Sequence, residues 1–492
     1  MRAAPEPTTA GAGPGYVREV RRPGWVTGVV LLAACSSSGG TALPRPTPTA
    51  TSAPTATPTP TSTGSATPSP APSPRATATP PAACTTYRVP DPRRPVLTAD
   101  VTVDGRTVTG TERVVFTPDR PVTELVFRLW ASAPRPTKAG GSTDLSKVVV
   151  DGGARAFTRP APTLVRIPWR GAQGRAVTID LGFRVILPVG ADDRFGSRGT
   201  TSWFASALPL LAWERGHGWA TEPATSAFAE ASTSEQLRLA RLAVHHRTGL
   251  TVLSTGAVAS EDATTTVTSA PAVRDVSVAV GAFRLARVAG PVPVVVGVAP
   301  QVGDDPAAVA REVVRAMRSH VQRFGPFPYA RLAVAVLPDI RGGIEYPGAV
   351  LLGTGQDKDA TVSHEVAHEW FYGLVGDDQA RDPWLDEAFA TYAEAIDRGT
   401  GTRYRSARIP ADGVGRAGRP MTYWEGRPSY FRSVYVQGAA ALLRSRALSP
   451  AAFDAQVRCY VARNASRIAT PADVAASIPL AVPALRRAGA LP

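Results

Sequence analysis

The chain has 492 residues, 43% of them hydrophobic, and a formal net charge of +14 from 54 Lys and Arg against 40 Asp and Glu. That length supports two or three domains with a sizeable core. Lysine occurs only at Lys138, Lys147 and Lys358, and the arginines are scattered with no concentrated run; without a footprint for phosphates, a nucleic-acid partner is not expected.

Arg18, Arg21 and Arg22 precede a short apolar stretch, Trp25 to Ala34. A positive segment followed by roughly ten apolar residues is the pattern of an export signal and is too short to span a bilayer. The stretch ends Leu32-Ala33-Ala34-Cys35, which resembles a bacterial lipobox. The resemblance implies a signal peptide over residues 1–34 and a lipid-bearing Cys35, which anchors the protein to the outer face of the cell membrane. An ordinary secretory signal followed by a coincidental cysteine is the alternative. Assigning Cys35 to lipid leaves Cys84 and Cys459, an even pair in an oxidising compartment; a disulfide between them and two separate buried thiols both remain open.

Residues 35–83 follow as a linker. From Ser36 to Ala83 the chain is almost entirely Ser, Thr, Pro, Ala and Gly, without aromatic or acidic residues. Such a composition cannot bury a core and predicts a disordered stalk with polyproline II character, reaching on the order of 150 Å if fully extended. Order is expected from Cys84. Over residues 84–290 short alternating runs such as "TADVTVDGRTVTGTERVVF" and "AVTIDLGFRVIL", rich in β-branched residues and punctuated by turns such as Asp104-Gly105, predict an antiparallel β-sandwich.

Beyond residue 290 the period changes. Residues 305–324 carry apolar positions at helical spacing and stop at Gly325-Pro326; a strand, "LAVAVLP", and further helices follow. The expected fold class is multidomain α+β, with a mixed α/β second domain over residues 291–492.

That second domain holds two linked motifs. In "SHEVAHEW", residues 363–370, His364 and His368 lie four apart with Glu365 after the first. Asp359 or Thr361 is placed to cap a helix running through Glu365 to about Leu374. On it the two imidazoles share a face, as a zinc ion requires, and Glu365 is near enough to hold a water without being a ligand. A catalytic zinc needs a third protein ligand and an open position. "DPWLDEAFATYAE" supplies a candidate: Asp382 reads as an N-cap, Pro383 as the first helical residue, and the helix continues to about Ile396. Eighteen residues separate His368 from Glu387, room for one loop and a return onto the first helix.

With these motifs the chain resembles the aminopeptidase N family of gluzincins, whose signature is H-E-x-x-H, eighteen residues, then E. "HEWF" and "WLDEAFATY" are similar to that family's H-x-W-F and W-L-N-E-G-F-A-x-Y. The resemblance implies a thermolysin-like catalytic domain and one Zn2+ per chain on His364, His368 and Glu387. It makes Glu365 the general base and Glu394 a carboxylate supporting the metal ligands. "GGIEYPG" resembles the family's G-x-M-E-N substrate strand, which gives Glu345 the substrate's free α-amine; Gly342 and Gly343 let a substrate backbone approach closely. "VYVQG" resembles Y-x-K-G, whose tyrosine donates to the oxyanion, here Tyr435. Taken alone, Tyr435 reads as a core tyrosine at a helix start; its place after Glu387 and its spacing to Gly438 favour catalysis.

Two departures bear on specificity. Ile344 and Tyr346 replace the methionine and asparagine of G-x-M-E-N, and only 57 residues follow Tyr435, where long members carry a large helical domain. A compact two-domain form with an open cleft is expected. The expected activity is removal of N-terminal residues from peptide substrates outside the cell membrane. An endopeptidase at the same zinc site and a non-catalytic surface lipoprotein are the alternatives.

Overall fold

The computed structural model describes residues 84–492 apart from residues 193, 227–234 and 356. The expected signal segment, Cys35 and the linker lie outside the described residues. Among the described residues no helix is long and apolar enough to cross a membrane.

The first half is built almost wholly of strands, because its sequence alternates. In Val96–Asp104, for example, Leu97, Ala99, Val101 and Val103 are buried while the residues between them face outward. An eight-stranded sheet runs from Ala257–Glu261 through Thr265–Val273, Leu237–His245, Val96–Asp104, Thr107–Phe116, Val177–Ile186 and Ser142–Val150 to Gly153–Ala154. Two four-stranded sheets accompany it, and one core that includes Phe116, Phe127, Ile179, Phe204, Trp213 and Leu242 draws on all three. One pairing departs from the antiparallel expectation: Val96–Asp104 and Leu237–His245 run parallel. These strands are far apart in sequence, so the chain has ample length to return to the same end of the sheet, which a hairpin could not do.

The second half is organised on a five-stranded sheet: β1 (Arg284–Val288), β2 (Val294–Val298), β3 (Leu332–Val336), β4 (Gly343–Tyr346) and β5 (Ala349–Leu352), in the order β1-β2-β3-β5-β4. Pairing of β1 with β2 puts the change of sheet between Gly281 and Arg284, ahead of the residue 290 read from the change of period. β4 is an edge strand, so the backbone carrying Glu345 keeps one side unpaired within the sheet.

Five main helices accompany this sheet; the first two lie against it and the others pack on them or on one another. In α1 (Pro306–Phe324) the Asp305 carboxylate accepts from the amides of Ala307 and Ala308, and Gly325 ends the helix at φ +107°. α2 (Lys358–Ala367) carries the histidine motif. It begins after Asp357 and ends at Ala367 rather than near Leu374. Beyond it, His368, Glu369 and Trp370 accept through their carbonyls from Gly373, Leu374 and Val375, turning the chain back. α3 (Trp384–Asp397) starts one residue later than expected, with Pro383 at the cap. A π-helical turn, Arg432–Gln437, leads into α4 (Gly438–Leu448), and α5 (Pro450–Asn464) follows.

Several ties hold the start of the described chain to the second half, among them a disulfide and a hydrogen bond. Cys84 and Cys459 form a disulfide between positions 375 residues apart. Close by, the Tyr87 hydroxyl accepts from Trp370 Nε1 at 3.0 Å, and Trp370 lies just beyond the histidine motif. Between the halves, Arg274 and Asp377 form an ion pair at 2.9 Å with both side chains 2% exposed. Taking both charges out of water offsets much of their attraction, so the pair is weak evidence for added stability.

Candidate metal centre and peptide site

α2 and α3 pack against each other, which brings residues distant in sequence onto one spot. His368 Nε2 lies 3.1 Å from His364 Nε2 and 3.4 Å from Glu387 Oε2; His364 Nε2 lies 3.1 Å from the same carboxylate oxygen. His368 Nδ1 donates to the Phe371 carbonyl at 2.9 Å, which orients the ring and leaves the lone pair of the neutral imidazole on Nε2, facing the cluster.

Three such atoms converging in a buried space call for a cation. An ion bonded to three atoms at about 2.0–2.1 Å in tetrahedral geometry holds them about 3.3 Å apart, and the separations here bracket that value. The donor set of two imidazoles and one carboxylate is that of a catalytic zinc site. His364, His368 and Glu387 fit the ion.

The electrostatics agree. Burial works to raise the Glu387 carboxyl, but the two imidazoles beside it outweigh that and hold it well below the usual carboxylate range. Burial and the neighbouring His368 push His364 down; for His368 the acids Glu345, Glu387 and Glu365 overcome burial and push it up.

Further groups surround the socket. Carboxylate oxygens of Glu365 and Glu345 lie with a His368 ring nitrogen in a second trio within 4.8 Å of one another. Glu365 is 5% and Glu345 7% exposed, so both are largely withdrawn from water. Gly343 is needed there: a Cβ on it would lie 2.3 Å from Glu365 Cγ. Nothing lies within 4 Å of a Cβ placed on Gly342, which borders open space.

The Tyr435 hydroxyl donates to Glu387 Oε1 at 2.6 Å, and its ring stacks on His364 with centroids 6.0 Å apart. The π-helical turn aims it there, since one extra residue per turn rotates the side chain off the α-helical path. Gly438 lets this turn approach α3: a Cβ on it would sit 2.5 Å from Ala388 Cβ. Gln437, at the lysine of Y-x-K-G, instead accepts from Gly415 N at 2.9 Å and donates to the Gly413 carbonyl at 3.0 Å.

Glu394 Oε2 lies 3.8 Å from His364 Nδ1, long for a hydrogen bond. Tyr404 donates to both its carboxylate oxygens, at 2.9 and 3.0 Å, and burial raises its carboxyl to about 7. Tyr346 turns away from the site, its hydroxyl 3.0 Å from Ser206 Oγ, which donates to Asp275.

Several residues here have no motif to announce them. Gln379, fully buried, donates through Nε2 to Glu345 Oε1 at 3.1 Å and to Asp386 Oδ2 at 2.8 Å. Asp386 also accepts from the Glu387 amide at 2.7 Å, and burial, then the nearby Asp377 and Glu387, push it well above the usual range. Its only signal in the sequence is the Asp standing at the asparagine of W-L-N-E. Glu369 accepts from Gly348 N at 2.9 Å, tying the β4–β5 hairpin to the end of the histidine motif. Ser363 donates to Asp397 at 2.6 Å, joining the chain beside His364 to the end of α3.

No family model matches the chain. Among curated proteins it is similar to aminopeptidase N of Streptomyces lividans, 34% identical over 82 residues, which are 14% of this chain and 10% of that protein. It is also similar to endoplasmic reticulum aminopeptidase 1 of Rattus norvegicus, 33% identical over 86 residues, 14% of this chain and 9% of that protein. The matches thus span about a tenth of the length of these curated relatives. Among solved structures, the M1 zinc metallopeptidase of Deinococcus radiodurans superposes with a TM-score of 0.61 at 18% identity, covering 83% of this chain and 96% of that one. A mutant of it bound to the substrate Tyr-Ser-Ala does so with 0.61 at 17% identity, covering 83% and 98%. The described chain therefore has the two-domain M1 metallopeptidase fold.

Proposed function

We propose that this chain is a zinc-dependent metallopeptidase of the aminopeptidase N family that removes N-terminal residues from peptides. One observation carries the reading: His364, His368 and Glu387 converge at a zinc ion's ligand spacing, with Glu365 and Glu345 both beside them. Zinc held there would polarise the scissile carbonyl and acidify the attacking water. Glu365 takes the proton from that water and delivers it to the leaving amine. Tyr435, its hydroxyl already at the cluster, donates to the developing oxyanion. Glu345 receives the substrate's ammonium group from the edge strand, which sets cleavage one residue from the N-terminus. Glu394, held by Tyr404, backs His364.

In this reading the strands up to Gly281 form a mainly antiparallel sandwich supporting a thermolysin-like catalytic domain that begins with the sheet strand at Arg284. Residues 1–34 are the export signal, Cys35 carries lipid, and the linker through residue 83 lifts the enzyme off the outer face of the cell membrane. The support for this anchoring is the sequence around Cys35.

The test compares peptides with a free α-amine and their N-acetylated forms, each with and without chelator. Wild type should prefer the free amine by about ten- to a hundredfold, and Glu345→Gln should erase that preference. Equal cleavage of both forms, abolished by chelator, would replace the aminopeptidase by an endopeptidase at the same site. Hydrolysis that survives complete metal removal would defeat the zinc reading.

A further inference from the structure

We infer that Gln379 is a positioning residue for exopeptidase specificity, holding the Glu345 carboxylate where a substrate's ammonium group meets it. This rests on the proposed amine-binding role of Glu345. The Gln379 side-chain nitrogen has two hydrogens and faces two carboxylates, Glu345 at 3.1 Å and Asp386 at 2.8 Å. The opposite amide orientation would set a carbonyl oxygen against the Glu345 carboxylate, which can only accept, so that contact favours the orientation with Nε2 toward Glu345.

A neutral donor suits this position. It satisfies one oxygen of Glu345 without cancelling its charge, whereas a lysine or arginine would neutralise the carboxylate that is to bind an ammonium. It also restrains Glu345, whose oxygens lie near the socket, within 4.8 Å of His368 and Glu365 ligand atoms.

The loop bearing Gln379 is itself anchored. On one side Asp377 is paired with buried Arg274 at 2.9 Å; at the other, the Asp378 carboxylate accepts from the amides of Ala380 at 2.9 Å and Arg381 at 3.1 Å. Asp386 is fixed by the first turn of α3, its other oxygen on the Glu387 amide. Two rigid supports thus meet the edge strand through one amide group.

The experiment uses the zinc-loaded protein and reads kcat/KM on a free-amine peptide and its N-acetylated form. Gln379→Met keeps the volume and removes the donor. It should lower cleavage of the free-amine peptide on the order of tenfold and leave the acetylated one within about twofold. Combined with Glu345→Gln, it should add no further loss of free-amine preference, because it acts through that carboxylate. Zinc content should stay at one per chain. Should Gln379→Met fail to fold, Gln379→Leu, which also removes the donor without adding charge, should lower the free-amine preference in the same way.

A folded variant that keeps the full preference, or that loses both activities equally, overturns the inference and makes Gln379 a packing residue. If Glu345→Gln alone leaves the preference intact, the amine-binding reading falls first, and the Gln379 inference with it.

Discussion

Gly343→Ala should separate folding from chemistry. A Cβ at this position would lie 2.3 Å from Glu365 Cγ, 2.4 Å from Cδ and 2.6 Å from Oε1. Carbon atoms in contact sit about 3.5–4.0 Å apart, so the Glu365 carboxylate must retreat by roughly 1 Å or more. The obstructing atoms are the end of a flexible side chain, so the fold can accommodate the methyl group. Losing a glycine also restricts the unfolded chain, which favours folding by about 0.4–1 kcal/mol where the backbone conformation is compatible. For a general base the same retreat is severe. A misplacement of about 1 Å costs on the order of a hundredfold, within the roughly 10²–10⁴-fold that positioned acid–base catalysis contributes. Steady-state kinetics on a free-amine peptide, with metal analysis and thermal unfolding on the same samples, should show kcat down about a hundredfold, one zinc per chain and an undiminished Tm. Gly342→Ala, whose Cβ meets nothing within 4 Å, should cost far less. Near-normal kcat in zinc-loaded Gly343→Ala would refute the placement of Glu365 as the base.

Three other outcomes are expected. His320, fully buried, is held neutral by burial, with its protonation pushed down to about 4 from 6.5. The stability this contributes is present above pH 6.5 and is lost as pH falls toward 4, so urea unfolding should show about 2 kcal/mol less stability at pH 5 than at pH 7, and His320→Gln should flatten that slope. Cys459→Ser removes the bridge to Cys84 and should cost about 2–5 kcal/mol in the same assay, with reductant reproducing the loss in wild type but not in the variant. Cys35→Ser should release the protein from the membrane fraction or leave its signal uncleaved, and unchanged fractionation with normal mature mass would reject the lipid anchor.

The candidate metal cluster is legible in the sequence because the rules that place its residues are local. Helical periodicity puts His364 and His368 on one face, and eighteen intervening residues allow the return that delivers Glu387. What escapes such reading depends on partners that only folding brings together. Gln379 lies in a loop with no periodicity, and its two carboxylate partners come from an edge strand and a helix start. Arg274 looks like one more of many scattered arginines, yet it is buried against Asp377. The parallel pairing of Val96–Asp104 with Leu237–His245 leaves no trace in alternation, which tells a strand's faces but not its direction. The end of α2 at Ala367 was hidden because the apolar residues beyond it suit a buried turn as well as a helix.

The most direct measurement is a metal titration of the catalytic rate. Purified protein is stripped by chelator and zinc is returned in sub-stoichiometric steps, with hydrolysis of a free-amine peptide followed at each step. Activity should be absent at the start, rise in proportion to zinc and stop rising at one ion per chain, while His364→Ala, His368→Ala and Glu387→Ala proteins stay inactive over the same range. Full hydrolysis by the metal-free protein, or restoration by zinc of all three ligand variants, would contradict a catalytic ion held by these residues.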